Sequence, residues 1–313
     1  MRLQSLPQAI TVADFDALHD QPAAWREVMA SIAAVYSAAP MRQMSEGTVL
    51  VALLGQDLVV KLYPPFLRDH FEFECAALRA LQGRLSVPTP KLVATGEREG
   101  WPFLVMSQLG GDSLLTVWPS LTLAQQCALL HDLGALAAEV HALPVQALHV
   151  QALNVQALRA HAPTWPEFLL QQRQRCLARQ QRTQLPAHLL ERLEVFLQGA
   201  VPTGPDVILT GEYTPMNLLA HGSKLVGMYD FGDGLVGPRE YDWLGPLTFL
   251  ASGSAPHCQA FFDGYGATPD AEQRLSLLRL LLLHRYSNLG AQIACPGWQQ
   301  ARSFEALAAL IWP

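Results

Sequence analysis

Three oxygen-bearing side chains stand at fixed offsets in ILTGEYTPMNLLAHGSKLVGMYDFG: Glu212, Asn217 five residues later, and Asp230 thirteen after that. A carboxylate near an attacking hydroxyl, with two further oxygen ligands for hard cations, is what phosphoryl transfer requires. The residues between them read as a hairpin, NLLA and LVGMY around the turn HGSK, ending at Asp230. Upstream, Lys61 closes an apolar run. In RDHFEFECAALRALQG, Glu74 falls on the stripe formed by Phe71, Cys75, Leu78 and Leu81, whereas Glu72 points elsewhere. A carboxylate on a buried face requires a partner, and Lys61 is the cation at hand.

The elements that must position these groups follow from periodicity. Residues 22–36 place Trp25, Ile32 and Val35 at helical spacing behind Pro22, which predicts a leading helix. TVLVALLGQDLVVKLYP predicts two strands around Gly-Gln-Asp, stopped by Pro64 and Pro65. A helix over 68–82 follows, closed by Gly83, and then two strands, KLVAT and PFLVMSQL, before the Gly110-Gly111 pair. From Leu121 onward the periodicity is helical and strands almost vanish. The predicted class is therefore α+β, divided into 1–109, a helix plus a β-rich lobe, and 110–313, a helical lobe. The tetrad VQAL, repeated three times over 145–158 at a five-residue step, matches neither helix nor strand period and reads as a duplication in a connecting segment.

Half of the 313 residues are hydrophobic, enough for a sizeable core. A formal net charge of −6 with only 15% charged residues argues against nucleic-acid binding, which calls for a basic face. The five cysteines are far apart and lack any C-x-x-C pairing, so they read as reduced thiols, neither disulfides nor a zinc site. The N-terminal stretch lacks the apolar core of a signal peptide and the LLRLLLLH run is too short to cross a bilayer; a cytoplasmic protein with no membrane partner is expected.

The offsets of Glu212, Asn217 and Asp230 agree with those of kinase catalytic loops. With Thr210, Gly211 and Pro215 before the hairpin, Phe231 and Gly232 after Asp230, and Tyr241-Asp242 in GPREYDWLGP, the region resembles the aminoglycoside phosphotransferase and choline-kinase-like family. VMSQLGGDSL and LAAEVHALP look like that family's hinge and the helix end before its substrate region, so the resemblance spans roughly residues 42–250. It implies a protein-kinase-like bilobal fold and an ATP- and Mg²⁺-dependent transfer to a hydroxyl of a small molecule. Lys61, oriented by Glu74, would hold the α- and β-phosphates, and Ser45, Gly47 and Thr48 of MSEGTV would cover them. Met106 to Leu109, including Gln108, would form the adenine hinge through backbone groups, while Asn217 and Asp230 would bind metal. Asp233, Asp263 and the 284–288 segment would line the acceptor pocket. Asp242 reads as a structural cap or loop staple and His284 as a packed helix residue.

Two positions depart from the family pattern. Glu212 replaces an aspartate, which moves the carboxylate outward by one bond, roughly 1.5 Å. Displacement on that scale costs about a hundredfold in rate if uncompensated. Gly211, without a side chain, would offer a relaxed backbone to absorb the extra reach. Thr210 replaces a histidine that helps hold the loop. Since the other phosphate and metal positions are filled, Glu212 reads as the base of a variant subfamily. Two alternatives stay open: a nucleotide-binding pseudokinase with a regulatory role, favoured by the Glu212 and Thr210 pair, and a kinase-like transferase of AMP.

Overall fold

The computed structural model of the protein describes residues 5–7, 10–45, 47–151, 163–211 and 213–313. Glu212, the third VQAL copy and the end of the second lie outside the described residues.

The N-terminal part is an antiparallel sheet of β1 (Met41–Gln43), β2 (Leu50–Leu54), β3 (Leu58–Leu62), β4 (Leu92–Arg98) and β5 (Trp101–Ser107), ordered β1-β2-β3-β5-β4. Strand alternation sorts its side chains onto two cores. Leu50, Ala52, Val60, Leu62, Phe103 and Val105 pack against Trp25, Met29 and Ile32 of a helix. That helix, α2 (Pro22–Tyr36), has the bounds periodicity predicts and follows a shorter one, α1 (Val12–His19), which the sequence reading lacks. Val59, Tyr63, Leu104 and Met106 face the other way, onto α3 (Arg68–Leu81). Lys61, two residues from each of Val59 and Tyr63, is carried to this same face.

The C-terminal part is mostly helical: α4 (Leu114–Val117), α5 (Leu123–His141), α6 (Gln146–Gln151), α7 (Trp165–Arg182), α8 (Ala187–Leu197), α9 (Glu240–Phe249), α10 (Ala255–Tyr265), α11 (Ala271–Leu283), α12 (Leu289–Gln292) and α13 (Phe304–Ile311). It holds more strand than expected. β6 (Asp112–Ser113), β8 (Leu218–His221) and β9 (Lys224–Met228) form one small sheet, and β7 (Asp206–Leu209) pairs with β10 (Leu235–Pro238) in another. The β8–β9 pair is the predicted hairpin. The first VQAL copy is no mere connector, because it opens α6 and its Leu148 is buried in the main core. All five cysteines are free, and no helix among the described residues is long and apolar enough to cross a membrane.

Helices α5 and α10 approach so closely that only glycine fits at their crossing. A Cβ at Gly264 would lie 1.9 Å from the His131 carbonyl oxygen, and one at Gly134 would lie 2.1 Å from that of Phe261. Gly264→Ala therefore forces two packed helices apart, at a cost of about 1–3 kcal/mol. Thermal unfolding should show a clearly lowered midpoint; an unchanged midpoint would contradict the tight crossing.

Candidate active site

Lys61 and Tyr63 project from the end of β3 toward α3 because they share one face of the strand. Lys61 Nζ lies 2.7 and 3.0 Å from the two carboxylate oxygens of Glu74, and 2.7 Å from Asp230 Oδ1. Tyr63 donates a short hydrogen bond to Glu74 Oε2. Glu74 is fully buried, and the Lys61 side chain is only 6% exposed. Glu72 is buried as well. The Asp230 carboxylate is 36% exposed and lines the adjoining cleft. Asp230 itself has φ 69, in the left-handed region that aspartate tolerates better than most residues.

Burial and ion pairing oppose one another here. Desolvation works to lower the Lys61 pKa, but Asp230 and Glu74 outweigh it and hold the ammonium above the ordinary lysine value. Burial raises Glu74, with Lys61 opposing. Desolvation also works to raise Asp230, and Lys61 overcomes it, keeping the carboxylate below its usual range. The Tyr63 phenol, pushed up by burial and then by Glu74, remains a neutral donor.

The cleft beside this network has a volume of about 490 Å³. Val51, Leu53, Val59, Met106, Leu109 and Leu219 supply apolar walls, while Gly47, Thr48, Lys61, Gln108, Asn217 and Asp230 supply polar groups. Of the residues singled out from the sequence, Ser45 is exposed and does not line it. The Gln108 N–H donates to the Asp57 carbonyl at 2.7 Å, which ties the segment after β5 to the β2–β3 turn. Gln108 Oε1 is buried and has no hydrogen-bond partner among the described residues. The N–H of Tyr229 donates to the carbonyl of Asn217 at 3.1 Å, which brings Asn217 beside Asp230.

The loop before β8 is fixed from below by Asp242 on α9. Its Oδ2 accepts from the Thr210 N–H at 2.9 Å and its Oδ1 from the Gly211 N–H at 2.9 Å. The Thr210 hydroxyl lies 3.3 Å from Oδ2, and His141 Nε2 lies 3.1 Å from it, with His141 Nδ1 2.9 Å from the Tyr265 hydroxyl. Asp242 is thus the loop staple its sequence position suggests. Gly211 is held rather than relaxed: its φ is +78, and a Cβ there would lie 2.4 Å from the Asp233 carbonyl oxygen.

Sequence reasoning overlooked Tyr63 and His141. Tyr63 was readable from the period of two that places it with Lys61. His141 was not, since its partners are remote in sequence; nor was the pairing of Asp233 with Arg285 and Tyr286, although Asp233 and the 284–288 segment were each expected at the acceptor pocket. Asp233 Oδ1 lies 2.8 Å from Arg285 Nη1 and 3.0 Å from the Tyr286 hydroxyl, and it lines the cleft. Asp263 belongs to the surface of α10, where Gln259 donates to it at 2.6 Å, and it lines no part of the cleft. His284 stacks on Tyr241 with ring centroids 4.8 Å apart, and burial pushes its pKa down to about 3.

Residues 42–278 match the APH phosphotransferase enzyme family. The chain belongs to that family. No curated protein matches it. Among solved structures, the GDP complex of an aminoglycoside 2'-phosphotransferase-IIIa is similar at 16% identity and TM-score 0.66, over 92% of this chain and 99% of that one. A streptomycin and ATP ternary complex of APH(2")-IIa is similar at 18% identity and TM-score 0.62, over 84% and 91%. A macrolide 2'-phosphotransferase, MphH from Brachybacterium faecium, is similar at 19% identity and TM-score 0.60, over 92% and 98%. At these identities the likeness establishes the protein-kinase-like bilobal fold, with a small antiparallel sheet above a helical lobe.

Two outcomes follow for this phosphotransferase-family site. Tyr63→Phe removes a donor from a buried carboxylate, so it should destabilise the fold by about 1.5–3 kcal/mol, read as a lower urea midpoint; no change would remove Tyr63 from the network. His284 is charged below pH 6.5 when unfolded but neutral in the fold down to about 3. The unfolded state therefore binds the extra proton throughout that window, and stability falls as pH drops from 6.5 toward 3. In His284→Gln, unfolding midpoints at pH 7 and pH 5 should differ less than in the parent chain.

Proposed function

We propose that this chain is an ATP- and Mg²⁺-dependent phosphotransferase that moves a γ-phosphoryl group to a hydroxyl of a small molecule. The observation that carries this is the Lys61 ammonium, held between Glu74 and Asp230 at the wall of a cleft with apolar and polar faces. That wall arrangement suits a nucleotide: Val51, Val59, Met106 and Leu219 offer surfaces for a base, and Gln108 Oε1 is an acceptor that none of the described residues uses. Among the described residues no three His, Cys, Asp or Glu side chains converge as a metal cage. The pair of Asn217 and Asp230 instead suits a hard cation that takes its remaining oxygens from phosphates and water.

In this reading the division is 1–109 for the nucleotide lobe and 110–313 for the lobe that holds the loop and acceptor. Lys61, oriented by Glu74 and Tyr63, binds the α- and β-phosphates; Gly47, Thr48 and the nearby Ser45 cover them; Met106 to Leu109 flank the base. Asn217 and Asp230 would hold Mg²⁺, which would supply positive charge to neutralise the phosphates. Glu212 takes the proton of the acceptor hydroxyl as that oxygen bonds to the γ-phosphorus and ADP departs. The staple through Asp242 fixes the backbone of Thr210 and Gly211, immediately before Glu212 in the chain.

The test is product mass after incubation with MgATP and a panel of aminoglycosides, amino sugars, choline-like alcohols and hydroxy-amino acids, with Glu212→Gln and Asp230→Asn beside the parent chain. One acceptor should gain a phosphate, and each variant should lose at least a hundredfold in kcat/KM, the range expected for a general base or a charge-stabilising group. Tight ATP binding without turnover would replace this reading with a pseudokinase, and an adduct of AMP mass would replace it with nucleotidyl transfer.

A further inference from the structure

Next to the cleft lies a second, wider groove of about 1650 Å³ between the start of α3 and the length of α7. The two meet at Asp233, which lines the cleft: Arg285 and Tyr286 of the groove bind its carboxylate, and His70 of the groove has Nδ1 3.5 Å from it. Asp233 thus joins the groove to the cleft in which the phosphotransferase reading places the phosphoryl group.

Its charge is unlike that of the chain as a whole. Four arginines, Arg175, Arg179, Arg182 and Arg285, line it against two carboxylates, Asp69 and Glu167. Glu167 is engaged at the helix start, where the Thr164 N–H and hydroxyl donate to it at 2.9 and 2.8 Å. Arg285 is matched by Asp233. Among the described residues, Arg175, Arg179 and Arg182 have no carboxylate within ion-pairing distance. Arg179 is only 7% exposed; it donates to Gln172 Oε1 and to the Leu282 carbonyl, both uncharged. Buried charges are ordinarily paired. Burial pushes the Arg179 pKa down, Cys176 and Tyr241 oppose that shift, and Arg182 and Arg175 add a smaller repulsion in the same direction as burial.

The helix C-terminus accounts for part of this pattern, since cations in a last turn complement the macrodipole. It does not account for Arg175, two turns earlier, nor for the gathering of all three on the groove side. After Glu167, α7 contains no acid, and Gln171, Gln174 and Gln181 complete a wall rich in N–H donors. A polycationic aminoglycoside would bring several ammonium groups to a wall that repels them.

Resting on the phosphotransferase reading above, we propose that the acceptor carries an oxyanion, a phosphate or a carboxylate, besides its hydroxyl, and that Arg175, Arg179 and Arg182 recognise it. Guanidinium groups suit both anions through paired N–H donors.

The test uses the full chain and two separate readouts. Binding of a fluorescent MgADP analogue reports on the cleft alone. Binding in the groove is followed by calorimetry at constant ionic strength with four matched hexoses, glucose, glucosamine, glucuronate and glucose 6-phosphate, and with kanamycin as a polycation. Glucuronate or glucose 6-phosphate should bind at least tenfold more tightly than glucose and glucosamine, and kanamycin should not bind. Which of the two anions binds more tightly distinguishes carboxylate from phosphate. Arg175→Gln with Arg182→Gln, both at exposed positions, should abolish the preference while the unfolding midpoint stays within a degree or two. The proposal is overturned by kanamycin binding more tightly than the anionic sugars, by no preference among the four hexoses, or by a preference that survives the arginine substitutions. A preference that depends on the arginines, in a chain that fails to bind MgADP, would leave the groove assignment standing and sink the phosphotransferase reading.

Discussion

The buried ammonium of Lys61 is the constraint on which the rest of the site depends. A lysine with so little solvent contact is tolerated only where anions surround it, and here one anion comes from each half of the molecule: Glu74 from α3 and Asp230 from the end of the β8–β9 hairpin. The pairing couples the small sheet to the helical part across 169 residues of sequence. Tyr63 adds a neutral donor to the more deeply buried of the two carboxylates, which limits the directions Glu74 can take. Removing any one member leaves the others with uncompensated charge or an unused acceptor, so the group behaves as a unit.

A second buried carboxylate does for the loop what Glu74 does for the lysine. Asp242 collects two backbone N–H groups and the His141 imidazole beneath Thr210 and Gly211. Thr210 keeps contact through its amide and lies within hydrogen-bonding range through its hydroxyl. The close approach of Gly211 to the Asp233 carbonyl leaves that turn one backbone path. Loop geometry therefore comes from backbone bonds to a fixed anion, which depend little on the identity of the side chain at 210.

Kinship of fold does not carry substrate choice with it. The aminoglycoside and macrolide phosphotransferases that this chain resembles in structure share its lobes at 16–19% identity, a level at which the walls of a groove are free to change charge. In this chain those walls are arginine and glutamine along α7.

The sequence by itself determined what depends on local spacing. A period of two puts Lys61 on one face of β3, a period near 3.6 puts Glu74 on the buried stripe of α3, and hairpin chemistry joins Asn217 to Asp230; the bounds of α2 follow from the same rule. These patterns are legible because the side chains involved answer to a core a few residues away. The pairing of β7 with β10 was not legible, since four-residue strands carry little periodic signal and find their partner 26 or more residues along the chain. The same holds for the ion pair between Lys61 and Asp230, the bond from His141 to Asp242, and the three arginines without a carboxylate partner among the described residues. Each depends on which remote elements pack together and which carboxylates that packing leaves within reach, and only the tertiary structure decides that.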